Sequence, residues 1–448
     1  MAKLMVSVSG IRGIIGQGLT PEVMLHFAQA FGTYVQGGKV VLGRDSRVSG
    51  DMLKKAVVSG LLSVGCDILD IGVCPTPTTQ LAVETHQAKG GIMITASHNP
   101  IMWNGLKLIG ADGLFLDAEQ GETVVALSRN KQFTFAEWDN IGIVLPYTKA
   151  VDEHLEAILN LDYLDVAKIK ERKFKVVLDC ICGAGVEMVP QLLLELGCTI
   201  IPLNCEATGL FPRMPEPLPE NLTELCETVK KEQADLGIAV DPDSDRLALV
   251  SEKGLPLGEE KTLALAVKFI LNKKAGPVAI NASTSRMTED IAQSHGIKVI
   301  RTKVGEINVA KKMREIGAVI GGEGNGGVIL PDIHLGRDAP VGIALTLQHL
   351  AEFGGSMSEL SDSLPHYVIT KDKVELKNLD AASALNKIKD RYAGEKLDFT
   401  DGIKILRPSA WIHVRASNTE PIIRIIAEAP TEKESQALCN ELKQSILN

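Results

Sequence analysis

Short apolar runs that break off into polar, glycine-bearing loops, separated by stretches of helical period, set the grammar of this chain. Lys39-Val-Val-Leu42 runs out into Gly43-Arg-Asp-Ser-Arg-Val-Ser-Gly50, and Gly65-Cys-Asp-Ile-Leu-Asp-Ile-Gly72 meets a proline-rich turn at Pro75 and Pro77. Gly91-Ile-Met-Ile94 stops at Thr95-Ala-Ser-His-Asn-Pro100, which places Ser97 at a strand's carboxyl end, where open α/β sheets present ligands. Helical stretches lie between them. The first opens with Thr20 as cap and Pro21 in the first helical position, and Val23, Leu25, His26 and Phe27 begin its inward face; another runs from Lys54 to Leu62. Ahead of these, Val6 to Gly13 reads as a strand opening into a glycine-flanked loop that exposes Arg12.

The strand-helix-strand-helix-strand pattern then repeats. Lys175–Asp179, Gly197–Leu203 and Leu236–Val240 form a second unit that ends in Asp241-Pro-Asp-Ser-Asp-Arg246. Pro277–Asn281, Gly296–Ile300 and Ala318–Gly322 form a third that leads into Glu323-Gly-Asn-Gly326. A serine loop, a triple-carboxylate loop and a glycine-rich loop thus follow the third strand of three look-alike units. After Pro365 the pattern changes. Tyr367–Ile369 and Lys373–Leu376 alternate, and Gly402–Leu406, Ala410–Val414 and Pro421–Ala427 predict an antiparallel meander closed by a helix beginning near Pro430 and Thr431. The expected division is 1–150, 151–254, 255–365 and 366–448: three related α/β domains with mixed sheets and a smaller C-terminal α+β domain.

Size and charge narrow the function classes. At 448 residues the chain exceeds a single core. A net charge of −9 and 4% aromatic residues argue against a nucleic-acid or anionic-membrane partner, so any anion site is local. No apolar run reaches the ~18 residues of a membrane span, and the amino terminus has no signal-peptide pattern, which predicts a cytoplasmic location. Eight cysteines without a CxxC pair read as reduced core residues.

The loops carry the chemistry. Asp241, Asp243 and Asp245 alternate along an extended segment, so three carboxylates converge on one hard cation; oxygen-only donors favour magnesium over zinc, and an EF-hand would need a glycine after Asp245 and a closing glutamate that are missing here. Arg246 beside them suits a phosphate sharing that cation. Arg415-Ala-Ser-Asn-Thr-Glu-Pro421 offers a guanidinium, hydroxyls and an amide between two strands, with Arg424 further on, a composition that grips phosphate oxygens. Glu323 and Asn325 can accept and donate hydrogen bonds to sugar hydroxyls. Taken singly, the serine loop reads as an ordinary strand-to-loop junction, the glycine-rich loop as a turn and Arg415–Pro421 as a hairpin connection.

Assembled in this order, the loops resemble those of the α-D-phosphohexomutase superfamily along essentially the whole chain. The resemblance implies four domains around a central cleft and a phosphoserine at Ser97. It implies Mg²⁺ held by Asp241, Asp243, Asp245 and the phosphorylated Ser97, with Arg246 contacting the phosphoserine. Lys107 matches the position proposed for general acid/base work, with Arg12 and His98 in support. Sugar contacts fall on Glu323, Asn325 and Lys303, and phosphate contacts on Arg415, Ser417, Asn418, Thr419 and Arg424. The implied reaction interconverts hexose 6-phosphate and hexose 1-phosphate through a hexose 1,6-bisphosphate, in a monomer or homodimer. The chain departs from the bacterial pattern GE-x-S-G-H, with Asn325 in place of serine and Gly327 in place of histidine, which excludes a histidine proton shuttle there. The GGEGNGG form of the sugar loop and the DPDSDR form of the metal loop resemble those of archaeal members and of chains assigned to glucosamine phosphate, whereas the phosphate loop RASNTEP is closer to mannose- and glucose-phosphate versions. This puts glucosamine phosphate first and mannose or glucose phosphate a close second; a phosphatase and a non-catalytic sugar-phosphate sensor are the rival readings.

Overall fold

In the computed structural model, which describes residues 4–7, 10–376, 380–416 and 422–447, the apolar runs become strands and the periodic stretches helices. The described residues gather into two compact units, one within Met1–Thr262 and Gly326–Ser361, the other within Leu263–Asn325 and Asp362–Asn448.

The first unit begins with β1 (Met5–Ser7), β2 (Gly10–Ile14), α1 (Pro21–Tyr34), β3 (Gly38–Arg44), α2 (Gly50–Ser63), β4 (Cys66–Val73), α3 (Thr76–Thr85), β5 (Gly90–Ile94), β6 (Trp103–Gly110), α4 (Ala118–Arg129) and β7 (Val144–Pro146). The strands form one mixed sheet in the order β1-β2-β6-β5-β3-β4-β7. The middle strand β5 is buried from end to end. Its period of two sends Ile92 and Ile94 into the core under α1 and α2, where each buried side chain contributes about 1.5–3 kcal/mol, while Met93 on the other face meets the Thr79 hydroxyl of α3. The helix signals hold locally: the Thr20 hydroxyl accepts the Val23 N–H at 3.3 Å, and Asp117 and Gln120 form a reciprocal capping box at the start of α4.

Two expectations need correction here. Arg12 is not on an exposed loop; it lies within β2, paired to Gly105 of β6. A side chain at Gly105 would put its Cβ 2.1 Å from the Ile11 carbonyl oxygen, so the glycine permits the close approach of β2 that delivers Arg12 to the site. Pro77 lies inside the first turn of α3 rather than in a preceding turn, because its missing N–H is one that a helix start leaves unpaired anyway.

After α5 (Ala150–Leu159) and α6 (Val166–Arg172) the second sheet is built from β8 (Lys175–Asp179), α7 (Val189–Glu195), β9 (Thr199–Leu203), α8 (Thr223–Glu232), β10 (Leu236–Val240) and β11 (Leu247–Ser251), in the order β11-β10-β8-β9. β8, β9 and β10 are parallel and β11 returns antiparallel, so Asp241–Arg246 is the tight connection between β10 and β11.

Next come α9 (Glu259–Lys273), β12 (Val278–Asn281), α10 (Arg286–Ser294), β13 (Val299–Thr302), α11 (Glu306–Ile316), β14 (Ile320–Glu323), β15 (Gly327–Ile329), α12 (Ala339–Phe353) and α13 (Met357–Asp362). β12 is flanked by β13 and β14, both parallel to it. Glu323 closes β14, one residue later than the loop reading placed it.

The chain ends with β16 (Val368–Glu375), α14 (Ala381–Arg391), β17 (Lys396–Asp398), β18 (Ile403–Leu406), β19 (Trp411–Ala416), β20 (Ile422–Ala429) and α15 (Glu432–Leu447). The sheet is antiparallel throughout in the order β16-β20-β19-β18-β17. The two alternating segments between Tyr367 and Leu376 prove to be the single strand β16, and α14 and β17 are elements the pattern did not signal. Ile388, Ile425 and Leu442 share the core beneath this sheet.

Candidate active site

In the first unit the serine loop, the acidic loop and one strand residue converge. Ser97 is 1% exposed and sits at φ 51°, a left-handed conformation that costs a non-glycine residue of order 1–3 kcal/mol and persists only when its surroundings hold it. They do so here from both sides. The Thr95 hydroxyl accepts the Ser97 N–H at 2.9 Å, and the Arg47 Nη2 donates to the Ser97 carbonyl at 2.6 Å. The same guanidinium serves the carbonyls of Asn99, Pro100 and Trp103, while its Nε is paired with Asp45 at 3.0 Å. The result is an aimed hydroxyl: Ser97 Oγ lies 3.3 Å from Asp241 Oδ2 and 3.2 Å from His98 Nδ1.

The acidic loop turns at Ser244, which also adopts a left-handed φ, and brings the carboxylates of Asp241, Asp243 and Asp245 within 4.8 Å of one another, all buried. Asp241 Oδ1 accepts the N–H groups of Asp245 and Arg246, which fixes the loop on itself. Lys107, on β6, reaches 2.7 Å from Asp243 Oδ2 and 2.8 Å from Asp245 Oδ2. The Thr76 hydroxyl at the start of α3 donates to Asp243 Oδ2 at 2.6 Å. Arg337 Nη2 reaches Asp245 Oδ2 at 2.7 Å. Each of these two carboxylates therefore has one oxygen hydrogen-bonded by the protein, while Asp243 Oδ1 and Asp245 Oδ1 are buried with no hydrogen-bond partner, Arg246 Nε lying 3.9 Å from the latter. Two orphaned carboxylate oxygens beside a third carboxylate are the donor set a hard divalent cation takes.

Ionisation follows from this arrangement. Burial raises Asp241 well above the usual carboxylate range, with Asp245 and Asp243 adding to it. Burial acts the same way on Asp245, but Arg337, Lys107 and Arg246 outweigh it and hold that carboxyl far below its ordinary value. For Lys107 burial favours the neutral amine, and Asp243 and Asp245 reverse that, so the ammonium form is held. Burial, then Arg246 and Arg12, push His98 well below its ordinary value, which leaves a neutral imidazole beside Ser97. Arg12 Nη1 holds the serine loop through Asn99 Oδ1 at 2.9 Å, and Arg246 Nη1 pairs with Glu216 at 2.9 Å.

The second unit holds the other candidates. Glu323 is buried, its Oε1 accepting Asn281 Nδ2 at 2.8 Å and the Gly305 N–H at 2.9 Å. Asn325 Nδ2 is 3.4 Å from Glu323 Oε2. Lys303 is exposed in the connection after β13. Arg415 and Arg424 face each other across β19 and β20, the first 3.9 Å from Asp401, the second exposed. Ser417, Asn418 and Thr419 lie outside the described residues.

Comparison with known proteins bears directly on this arrangement. Four domain descriptions match in sequence: phosphoglucomutase/phosphomannomutase alpha/beta/alpha domain I at residues 3–135, domain II at 152–254, domain III at 259–367, and the C-terminal domain at 372–445. The chain belongs to the phosphoglucomutase/phosphomannomutase family. One relative in this family, from Thermococcus kodakarensis and described as a phosphoglucomutase/phosphomannomutase, is 43% identical over 95% of both chains. Another, from Methanopyrus kandleri and described as a probable phosphoglucosamine mutase, is 40% identical over 97% of this chain and 95% of its own. A crystal structure of a phosphoglucomutase/phosphomannomutase family protein from Burkholderia thailandensis matches with a TM-score of 0.86 at 27% identity, over 99% of this chain and 98% of that one.

Four residues of this phosphoglucomutase/phosphomannomutase fold that the motifs did not single out also shape the site. Arg47 sits in the polar loop after β3 and builds the Ser97 turn; Thr76, Glu216 and Arg337 hold the acidic loop or its arginine. Their only sequence signal is the polar residue itself, since the partners lie 50, 167, 30 and 92 positions away. A second buried cluster, His154, His334 and Asp338, has the composition of a small metal centre. Both imidazole Nε2 atoms lie on the single oxygen Asp338 Oδ2, at 2.8 and 3.0 Å, the pattern of two N–H donors sharing one acceptor.

Proposed function

We propose that this chain interconverts a hexosamine 6-phosphate and the corresponding 1-phosphate, glucosamine phosphate first, through a phosphoserine at Ser97 and a hexose 1,6-bisphosphate intermediate. It is an isomerase of the phosphohexomutase kind. The observation that carries the reading is the strained, buried Ser97, whose Oγ is aimed at Asp241 among three carboxylates and the cations Lys107, Arg12, Arg246 and Arg337. Phosphoryl transfer asks for placement and charge neutralisation more than for covalent chemistry, and this site is made of both.

Asp241, Asp243 and Asp245 would hold Mg²⁺, through oxygens that include the two orphans. The ion supplies charge neutralisation at the phosphoryl oxygens when bound. Ser97 Oγ carries the phosphoryl group and passes it to the free hydroxyl of the sugar monophosphate; Arg12 and Arg246 orient its oxygens. Lys107 holds the proton that Ser97 or the sugar hydroxyl exchanges, and neutral His98 orients Oγ. Glu323, Asn325 and Lys303 take the sugar, and Arg415 and Arg424, with Ser417, Asn418 and Thr419, take the distal phosphate.

A second reading, mannose or glucose phosphate as the preferred substrate, is favoured by the 43% identical relative's description and by the RASNTEP form of the phosphate loop. Among the described residues no helix is long and apolar enough to cross a membrane, and the eight cysteines are free thiols. The test is a coupled assay of the 6-phosphates of glucosamine, mannose and glucose with Mg²⁺ and a bisphosphate primer. Highest kcat/KM on glucosamine phosphate is the expected result; preference for either other sugar selects the second reading, and no product from any of the three overturns both.

A further inference from the structure

The acidic loop is gripped by an arginine that no motif in the chain announces. Arg337 precedes α12 and spends its Nη2 on the same Asp245 oxygen that Lys107 uses, both side chains being buried. Its mount is held by hydrogen bonds from several sides. The next residue, Asp338, caps α12 by accepting the Val341 N–H on Oδ1 at 2.9 Å, and its Oδ2 takes the N–H of His154 from α5 and of His334 from the preceding turn. His154 in turn meets the Thr78 hydroxyl of α3 at 2.9 Å, two residues on from the Thr76 that holds Asp243. Beyond Asp338, the Ala339 N–H donates to the Ser244 carbonyl at the apex of the acidic loop, at 3.2 Å. The segment Arg337–Ala339 is therefore tied to the loop by both side chain and backbone.

We infer that Arg337 is a built-in counter-charge of the acidic loop, positioned by the His154–Asp338–His334 clamp, that weakens the loop's hold on a divalent cation and keeps the pocket electropositive enough for an anionic phosphoryl group. The second half rests on the phosphoryl-transfer reading above; the first does not. A site with three carboxylates and no such arginine would bind the cation more tightly and admit a phosphate less readily, since a unit positive charge opposes one ion and attracts the other. Arg337 acts through Asp245, so it is a positioning residue.

Opposite movement of Mg²⁺ affinity and turnover separates this role from mere support of the fold, because a loosened loop would weaken both. The experiment titrates Mg²⁺ calorimetrically into the full-length protein without sugar, and measures kcat and KM separately with glucosamine 6-phosphate. For Arg337→Gln the expected result is Mg²⁺ bound about tenfold tighter and kcat lowered about tenfold or more, with Arg337→Lys restoring both to within about threefold. Asp338→Asn, which loosens the arm and leaves its charge in place, should shift Mg²⁺ affinity in the same direction by about threefold, and it decides the matter should Arg337→Gln not fold. Unchanged or weaker Mg²⁺ binding in the folded variants overturns the inference. A wild-type protein that forms no isomer while Arg337→Gln still binds Mg²⁺ more tightly would overturn the mutase reading and leave the counter-charge standing.

Discussion

The two ends of the proposed chemistry are built differently. In the first unit every charged group of the serine and acidic loops is held by at least one partner fixed in the fold, and Ser97, Lys107, Asp241, Asp243 and Asp245 are all buried. Of the second unit's candidates among the described residues, Glu323 alone is buried; Asn325 and Arg415 are half-buried, and Lys303 and Arg424 stand in solvent. Burying charge is costly, and the fold accepts that cost where a phosphoryl group must be met by dipoles and charges already in place. Where a sugar and its far phosphate need only be recognised, solvated side chains suffice. Rate should therefore depend on the first set and selectivity on the second.

The sharpest break in that division would come from Ser97. Ser97→Ala should lower kcat by at least ~10³-fold while sparing stability, because alanine keeps the loop's backbone partners. An assay with purified variant protein and bisphosphate primer checks it; substantial residual isomerisation would move the chemistry elsewhere.

Lys107→Met comes next. It leaves Asp243 and Asp245 buried without the ammonium that both share, with Arg337, Arg246 and Arg12 as the cations that remain, so the protein should lose about 3–5 kcal/mol of stability and about 10²–10⁴ in kcat. Melting curves with and without Mg²⁺ sharpen the point: the ion should recover part of the loss, and a melt indifferent to Mg²⁺ would count against the acidic loop as a cation site.

The second unit has its own acid sensitivity. His413, 1% exposed, is pushed down to about 4 by burial, against the Asp401 carbonyl that favours its charged form. The unfolded chain therefore binds the proton more readily than the fold, and stability is full above about pH 6.5 and falls as pH drops toward 4, by roughly 3 kcal/mol in all. His413→Gln should flatten that slope in denaturant titrations between pH 4 and 7. An unchanged slope would assign the acid lability to other groups.

The smallest effect is expected at Glu323. Glu323→Gln retains an acceptor for Gly305 and Asn281, so stability should hold, while KM for the sugar phosphate rises about tenfold and the ranking among the three sugars shifts. A variant that loses kcat and keeps its KM would erase the proposed division.

Much of this was legible in the residues because the informative signals are local. Thr95–Pro100 and Asp241–Arg246 each pack their chemistry into six consecutive positions, and the recurring strand-helix pattern placed them after equivalent strands. What escaped has a common physical cause, partners distant in sequence. Nothing near Arg47 reveals that it will bond four carbonyls of the Ser97 loop, and nothing near Arg337 reveals Asp245. Arg12 reads as a loop residue because Gly10 and Gly13 beside it look like a turn, whereas Gly10 lets β2 lie against β6, a Cβ there falling 2.1 Å from the Leu106 carbonyl oxygen. Tyr367–Leu376 read as two segments because the charged run Lys371-Asp372-Lys373 interrupts the alternation, yet Lys371 and Lys373 are exposed and β16 continues through them.

The most direct test of the account is to phosphorylate the protein with a hexose 1,6-bisphosphate labelled on phosphorus, map the label, and chase it with unlabelled glucosamine 6-phosphate. The account predicts one label per chain, on Ser97, that leaves into the sugar bisphosphate on the chase and is absent from Ser97→Ala. Label on any other residue, or its release as inorganic phosphate while isomerisation proceeds, would contradict it.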